Sequence, residues 1–317
     1  MFDLMHPVMS APMALHSGGT LAGAVSAAGG LGSFGGIHPG KGPDWMHAEV
    51  ATIRTRTERP FAVGFITGFL PFVEPLFEAA LAEHPAAVAF SFGDPGPWIS
   101  RCKAVDARVI CQVQNYEHAD LAVAGGADVL VAQGTEAGGH TGTMSLLPLL
   151  AGVVARYPDV PVLAAGGIAD GRTLAAALTA GADGAWLGTA FLATPEAIEV
   201  SDTHKRLIVQ SDGTDTVFTR AYDIVSGYPW PMEIGERVHR NRFTDEWSDR
   251  EAELRDRRAE FATPNASEKP PDPANAEVIF GQSAGFVNDV RPAAEVVCTI
   301  SEQAERILRS RPNSLLA

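Results

Sequence analysis

Eight short apolar runs dominate the first two thirds of the chain: Val8–Pro12, Leu31–Phe34, Phe61–Ile66, Ala86–Phe92, Val109–Val113, Val129–Ala132, Val162–Ala165 and Ala185–Gly188. Most end in a turn with glycine or proline and are followed by a stretch of helical composition, as at Gly19–Ala28, Pro71–Glu83, Glu117–Ala124 and Arg172–Thr179. Short runs without a polar face read as strands buried on both sides. Their alternation with helices calls for parallel pairing through crossovers. Eight such units close a (β/α)8 barrel, whose usual size is about 250 residues. An open doubly wound sheet is the competing arrangement. The G-x-G-x-x-G turn that a dinucleotide-binding sheet of that kind places after its first strand is absent. The expected fold is therefore α/β, a (β/α)8 TIM barrel. Ala28-Gly-Gly30, Ala124-Gly-Gly-Ala-Asp128 and Ala180-Gly-Ala-Asp183 read as helix C-caps leading into the next strand.

The alternation stops after Phe191. Residues 195–280 are richer in charge and read as a mainly helical insertion after the eighth strand, near the barrel mouth, with residues 1–194 and 281–317 forming the barrel. Within it, residues 244–261 predict one charged helix, N-capped by Thr244, with Trp247, Leu254 and Phe261 on one narrow edge. A Pro-rich loop is expected at 263–276, and a last amphipathic helix from about Pro292 to Leu308 closes the outer ring.

A formal net charge of −14 argues against nucleic acid as a partner, because a phosphate-binding face needs an excess of lysine and arginine. No apolar run reaches the roughly 18–20 residues needed to cross a bilayer. The N-terminal residues lack a basic region followed by an apolar one, so a cytoplasmic protein is expected, either a monomer or a homodimer. Cys102, Cys111 and Cys298 have no ligand-like spacing and read as reduced thiols, and no metal-binding set is visible. The Ser of a G-x-S-x-G elbow is also absent.

The chemistry concentrates in Val129-Leu-Val-Ala-Gln-Gly134-Thr-Glu-Ala-Gly-Gly-His140-Thr-Gly142, a strand ending in Gln133 followed by a loop with four glycines, one carboxylate and one imidazole. Glycine lets backbone N–H groups approach an anion, and an imidazole moves protons near neutral pH. In a barrel of this kind the active site lies at the C-terminal ends of the strands, with phosphate in the loops after strands seven and eight. Those loops here read Ala164-Ala-Gly-Gly-Ile168 and Leu187-Gly-Thr-Ala190. Gly166, Gly167, Gly188 and the Thr189 hydroxyl, with Gly138 and Gly139 after strand six, therefore make a phosphate-binding set. His140 is the candidate base. Glu136 either orients a neighbour or is an exposed carboxylate. His16 and His38 stand near the mouth, whereas His6, His84, His118 and His204 read as structural or surface residues. Ser10-Ala-Pro-Met13 leaves room for a flat ring along the backbone, and Phe92 with Gln112 or Gln114 faces the same space.

These residues resemble the nitronate monooxygenase family of FMN-dependent barrels. The similarity covers most of the chain, including Ala11-Pro-Met13, Ser91-Phe-Gly93, Ala132-Gln-Gly-Thr-Glu-Ala-Gly-Gly-His140, Ala165-Gly-Gly-Ile168, Leu187-Gly-Thr-Ala-Phe191 and Gly281-Gln-Ser-Ala-Gly285. The resemblance implies FMN as cofactor, with contacts at Gln133, Gly138, Gly167 and the run Trp186, Leu187, Gly188 and Thr189; the residue pattern adds Ala11, Pro12, Met13, Gln112, Gly139 and Gly166 to the cofactor-binding set. The resemblance also implies His140 as catalytic base, an alkyl nitronate or nitroalkane as substrate and O2 as oxidant. Many relatives carry an Asn at the end of strand three that contacts FMN; here that place reads Val63-Gly64-Phe65. Flavin-type enoyl-acyl-carrier-protein reductases share the Glu-Ala-Gly-Gly-His loop. The alternative function is thus an NAD(P)H-dependent flavin reductase acting on an enoyl thioester or a quinone.

Overall fold

A computed structural model describes residues 1–261 and 272–316. Its elements, in chain order, are β1 (Val8–Ser10), α1 (Gly19–Ala27), β2 (Gly32–Gly35), α2 (Pro43–Arg54), β3 (Phe61–Ile66), α3 (Glu74–Ala82), β4 (Ala87–Ser91), α4 (Gly96–Lys103), β5 (Arg108–Val113), α5 (Tyr116–Gly125) and β6 (Val129–Gln133). Then come β7 (Gly139–Thr141), α6 (Leu146–Arg156), β8 (Val162–Ala165), α7 (Gly171–Thr179), β9 (Gly184–Leu187), α8 (Thr189–Leu192), α9 (Asp202–Gln210), β10 (Thr216–Thr219), α10 (Ala221–Ser226) and β11 (Gly235–His239). The chain finishes with α11 (Arg242–Trp247), α12 (Glu251–Asp256), α13 (Arg258–Phe261) and α14 (Ala293–Leu316).

Eight strands form one parallel sheet in the order β1-β9-β8-β6-β5-β4-β3-β2. The ends of that series meet. Leu31 N–H donates to Val8 O at 2.9 Å and Ser10 N–H donates to Leu31 O at 3.1 Å, so the sheet closes. This is the (β/α)8 barrel the eight apolar runs call for. Side chains alternate along each strand. Met9, Ala62, Ala87, Ala89, Ile110, Val129, Val131, Ala165 and Trp186 fill the barrel interior. Their neighbours Val8, Phe61, Val63, Val88, Phe90, Val109, Leu130, Val162 and Leu187 pack outward against the helices. Alanines on β3 and β4 make room for Met9 and Trp186, so the interior is filled rather than hollow. The outer layer carries most of the apolar stabilisation. Phe34, Phe61, Phe77 and Phe90 are all fully buried, each contributing about 1.5–3 kcal/mol.

The insertion departs from expectation in two ways. It contributes two strands besides its helices: β10 pairs antiparallel with β11, and β11 pairs antiparallel with β7. Since β7 is Gly139-His140-Thr141, the loop after β6 is itself the third strand of this small sheet. The expected single helix over 244–261 is three short ones, α11, α12 and α13. Its N-cap is Asn241, not Thr244. Thr244 occupies the third helical position and returns its hydroxyl to the Asn241 N–H, completing a capping box. Trp247 and Leu254 are buried there, with Phe261 packed against them. Most of the Pro-rich 263–276 stretch lies outside the described residues. The helix expected from Pro71 starts only at Glu74, after a 3-10 turn over Thr67–Phe72 that holds Pro71. Helix α14 runs past Leu308 to Leu316, with Pro312 inside it.

Candidate active site

At the C-terminal rim of the barrel a cavity opens among β1, β3, β4, β5 and the loops after β6, β8 and β9. Ala11, Pro12, Met13, Gln112, Gln133, Gly138, Gly139, His140, Gly166, Gly167, Trp186, Gly188 and Thr189 all line it. Leu187 does not. On β9 it follows Trp186, so it points the other way, 1% exposed, into the layer between barrel and helices. Side chains alternate along a strand, so the expected contact run from Trp186 to Thr189 cannot include both Trp186 and Leu187 side chains. Only the Leu187 carbonyl takes part in the rim, accepting the Ala11 N–H at 2.8 Å.

The floor is built by removing side chains. A Cβ on Gly64 would lie 2.2 Å from Cγ of Pro12, so this β3 position has no room for a side chain. A Cβ on Gly138 would stand 2.4 Å from the Gly281 nitrogen. Gly166 and Gly167 take φ of +98° and +71°, left-handed values that favour glycine. The N–H groups of Gly167, Ile168, Gly188 and Thr189 have no hydrogen-bond acceptor among the described residues. The Thr189 hydroxyl oxygen accepts the Gly281 N–H at 2.9 Å, which leaves its own hydrogen free to donate. No lysine or arginine lines the cavity. A phosphate monoester fits this donor set, because amides and a hydroxyl can hold it without a cationic side chain. Ser283, buried at 5%, also lines the cavity, carried in by the chain after residue 280.

The loop after β6 is pinned on all sides. Thr135 N–H donates to Met144 O at 2.7 Å, Gln282 N–H to Glu136 O at 3.0 Å, and Arg237 Nε to Thr135 O at 2.7 Å. The Glu136 carboxylate accepts the Leu146 N–H at 3.0 and 3.1 Å, so it anchors the loop to the first turn of α6 and does not face the cavity. Gln133 Nε2 donates to the His140 carbonyl at 3.0 Å. Its own Oε1 accepts Gln114 Nε2 at 2.9 Å, and Gln114 in turn meets His118 Nδ1 at 3.1 Å. Gln112 therefore faces the cavity, and Gln114 sits beneath Gln133.

His140 is the one imidazole here with a carboxylate partner at the cavity. Its Nε2 lies 2.9 and 3.1 Å from the two oxygens of Asp223 on α10. An acceptor at Nε2 places the proton there and leaves the Nδ1 lone pair free. The ring stacks on Trp230, with centroids 3.7 Å apart and planes at 15°. Phe92 meets Trp230 edge-on at 5.3 Å. Its φ of +62° is a left-handed value that a residue with a bulky side chain rarely adopts, and such backbone strain clusters at functional positions. His16 lines the cavity as well, with its ring 5.5 Å from that of His204. His38 stays outside, against Trp45. His204 is structural: its Nε2 bonds the Ile279 carbonyl at 2.7 Å, and burial depresses its pKa to about 4. Asp223 is a functional candidate that neither pattern nor resemblance singles out, and Trp230 stands in the sequence only within a segment, Trp230-Pro231, that resembles the family's stretch after strand eight. They lie far along the chain from His140, and only the β7–β11 pairing brings their segment to it.

Among the described residues no helix is long and apolar enough to cross a membrane, and no group of three or more His, Cys, Asp or Glu could hold a metal. The family model described as nitronate monooxygenase matches residues 1–69 and 72–302. A nitronate monooxygenase of Neurospora crassa is 32% identical over 95% of this chain and 89% of its own. The match to a putative monooxygenase of Mycobacterium tuberculosis is 39% identical but spans only 55% of this chain and 44% of that protein. FabK from Thermotoga maritima superposes with a TM-score of 0.86 at 30% identity, covering 99% of this chain and 97% of that one. Nitroalkane oxidase from Streptomyces ansochromogenes does so with a TM-score of 0.80 at 30% identity, over 98% of both chains. With its barrel closed, its glycine-lined cavity in place and the family model matched along nearly its whole length, the chain belongs to the nitronate monooxygenase family.

Proposed function

We propose that the protein oxidises alkyl nitronates, and nitroalkanes that it first deprotonates, with O2 to a carbonyl compound and nitrite, using FMN. The observation that carries this reading is the His140–Asp223 pair placed beside the amide-lined cavity. FMN, when bound, supplies the redox chemistry between substrate and O2. The free amides of Gly167, Ile168, Gly188 and Thr189, with the Thr189 hydroxyl, would hold its phosphate, and Ala11, Pro12, Met13 and Trp186 would border its ring.

His140 does the proton work. Asp223 holds Nε2 protonated, so Nδ1 takes the α-proton of a neutral nitroalkane, and the resulting imidazolium is stabilised by the Asp223 carboxylate. Trp230 fixes the plane of the ring and excludes water from one face. A substrate that arrives as nitronate needs no base, so His140→Ala separates the two roles. The expected result is a loss of about 10²–10⁴-fold in kcat/KM for nitroethane, with ethyl nitronate turnover and flavin content kept. Full nitroethane activity in the variant would sink the role of His140.

A second reading rests on the FabK superposition. In it NAD(P)H reduces the flavin, and an enoyl thioester or a quinone is reduced in turn. Anaerobic mixing decides between them: bleaching of the flavin by ethyl nitronate alone supports the first reading, and rapid bleaching by NAD(P)H supports the second.

A further inference from the structure

Glu236 stands directly opposite His140 in the β11–β7 pairing, and directly opposite Thr219 in the β10–β11 pairing. Residues that face each other across antiparallel strands project to the same side of the sheet, with Cβ atoms about 4.5–5.5 Å apart. Glu236 therefore shares the His140 side, where α10 brings Asp223 to the imidazole. Its side chain is 0% exposed, and neither carboxyl oxygen receives a hydrogen bond from an N–H or O–H donor among the described residues; the polar group that meets it is the Glu277 carboxyl. Among the described residues no cation pairs with it. Arg237, the next residue, projects to the opposite face and is spent on Thr135 O and Thr216 Oγ1. The groups that bear on Glu236 are Glu277 and Asp223, with the Tyr222 phenol near both glutamates, and His140 across the strand pair.

A buried carboxylate with no donor and two acidic neighbours is costly, because desolvation and like charge both oppose its ionisation. Those two causes, burial first and Glu277 second, raise its pKa well above the ordinary carboxyl range. Protonation relieves both. It also creates the missing donor, since a neutral carboxyl can give its O–H to the neighbouring Glu277, whereas two carboxylates can share no hydrogen bond.

We propose that Glu236 is a positioning residue that works as a neutral acid: by staying protonated beside Asp223 and opposite His140, it leaves Asp223 the single anionic partner of the imidazole. The consequence is electrostatic. A second buried anion next to the imidazole would favour its protonated form before substrate arrives, and an imidazolium has no lone pair with which to take the α-proton. Loss of the Glu236 proton at alkaline pH then lowers the rate of nitroalkane deprotonation. This use rests on the base role given to His140 above; the protonated state of Glu236 does not.

Two measurements test it, one for each part. Infrared difference spectra of the holoenzyme at pH 7 should contain the C=O stretch of a protonated carboxyl, and that band should vanish in Glu236→Gln. Absence of the band in the wild type, or its persistence in the variant, overturns the proposal whatever the substrate is. The pH profile of kcat/KM for nitroethane should show an alkaline fall in the wild type that Glu236→Gln removes. A variant that loses activity equally at every pH and retains the alkaline fall would assign Glu236 a purely structural role. If no nitroalkane is turned over, the reaction assignment fails, and the infrared result still decides the state of Glu236.

Discussion

The eight-stranded barrel and the three-stranded sheet beside it hold the same loop by opposite means. On the barrel side the cavity is shaped by missing side chains: Gly64 yields to Pro12, Gly138 to the Gly281 backbone, and four free amides replace any cationic residue. On the side of the small sheet the loop is held by buried polar groups, with Arg237 on Thr135 O, Asp223 on His140, and Glu236 wholly enclosed. Backbone donors suit a cofactor that stays in place and presents the same phosphate in every turnover. Side chains with protons suit the face where charge changes during the reaction. The division predicts that damage to one region should spare the function of the other.

The strongest way to break that comparison is at Gly138. A valine there would drive its Cβ into the backbone at Gly281, 2.4 Å away. The cost of such overpacking is about 1–3 kcal/mol, placed at the cavity wall. Gly138→Val should purify with little flavin, read from its visible absorption, and full flavin content would contradict the assignment of this wall. Next comes Asp223→Asn, which removes the anion that sets the His140 tautomer. Nitroethane kcat/KM should fall by about 10²–10⁴-fold, the contribution typical of a positioned general base, with flavin content unchanged. Flavin loss instead would show that the two faces are not separable.

A smaller effect concerns acid stability. His204 titrates near 4 in the folded protein against an ordinary 6.5, because burial and the nearby His16 disfavour its charge. The unfolded chain therefore binds the proton first. Stability from this residue is intact above pH 6.5, falls as pH drops, and is lost by about 3 kcal/mol once pH reaches the folded value. His204→Gln should flatten urea-denaturation stability across that window; an unchanged acid slope would place the sensitivity elsewhere. The smallest effect is chemical. Burial pushes the Cys102 and Cys111 thiols up to about 12, so neither forms thiolate at neutral pH. A disulfide reagent should label Cys298, which is partly exposed, in the native protein and reach the other two only on unfolding. Fast native labelling at Cys111 would show that the barrel wall opens.

The two regions also differ in how much of them could be read from the amino-acid sequence. Barrel strands advertise themselves, since a run such as Phe61-Ala-Val-Gly-Phe-Ile66 is apolar on both faces and bounded by turns. The glycines of the rim were legible for the same reason, because few other roles explain Gly166-Gly167 and Gly138-Gly139 at successive strand ends. Leu187 faces away from the cavity because side chains alternate along β9, a period that a run of adjacent residues conceals. Glu136 was ambiguous because its partner, the Leu146 N–H, is set by the loop path rather than by spacing. The small sheet was illegible. Its strands are short and mixed in polarity, and Gly139-His140-Thr141 reads as loop until β11 pairs with it. Asp223, 83 residues from His140, leaves no local trace of that contact. The capping box at Asn241 was within reach, since Asn three residues before Thr is a common helix start.

The return of the chain at Gly281 sets the order in which the protein can be made. Gly281 N–H reaches Thr189, Gln282 N–H reaches Glu136, and Ser283 completes the cavity wall. Synthesis proceeds from the N-terminus, so all eight barrel strands leave the ribosome before this segment exists. A nascent chain ending short of residue 280 would possess the whole parallel sheet yet lack the brace that holds the glycine loop against the rim. A cofactor held by this loop would then find its site complete only once the segment from Gly281 to Ser283 is in place.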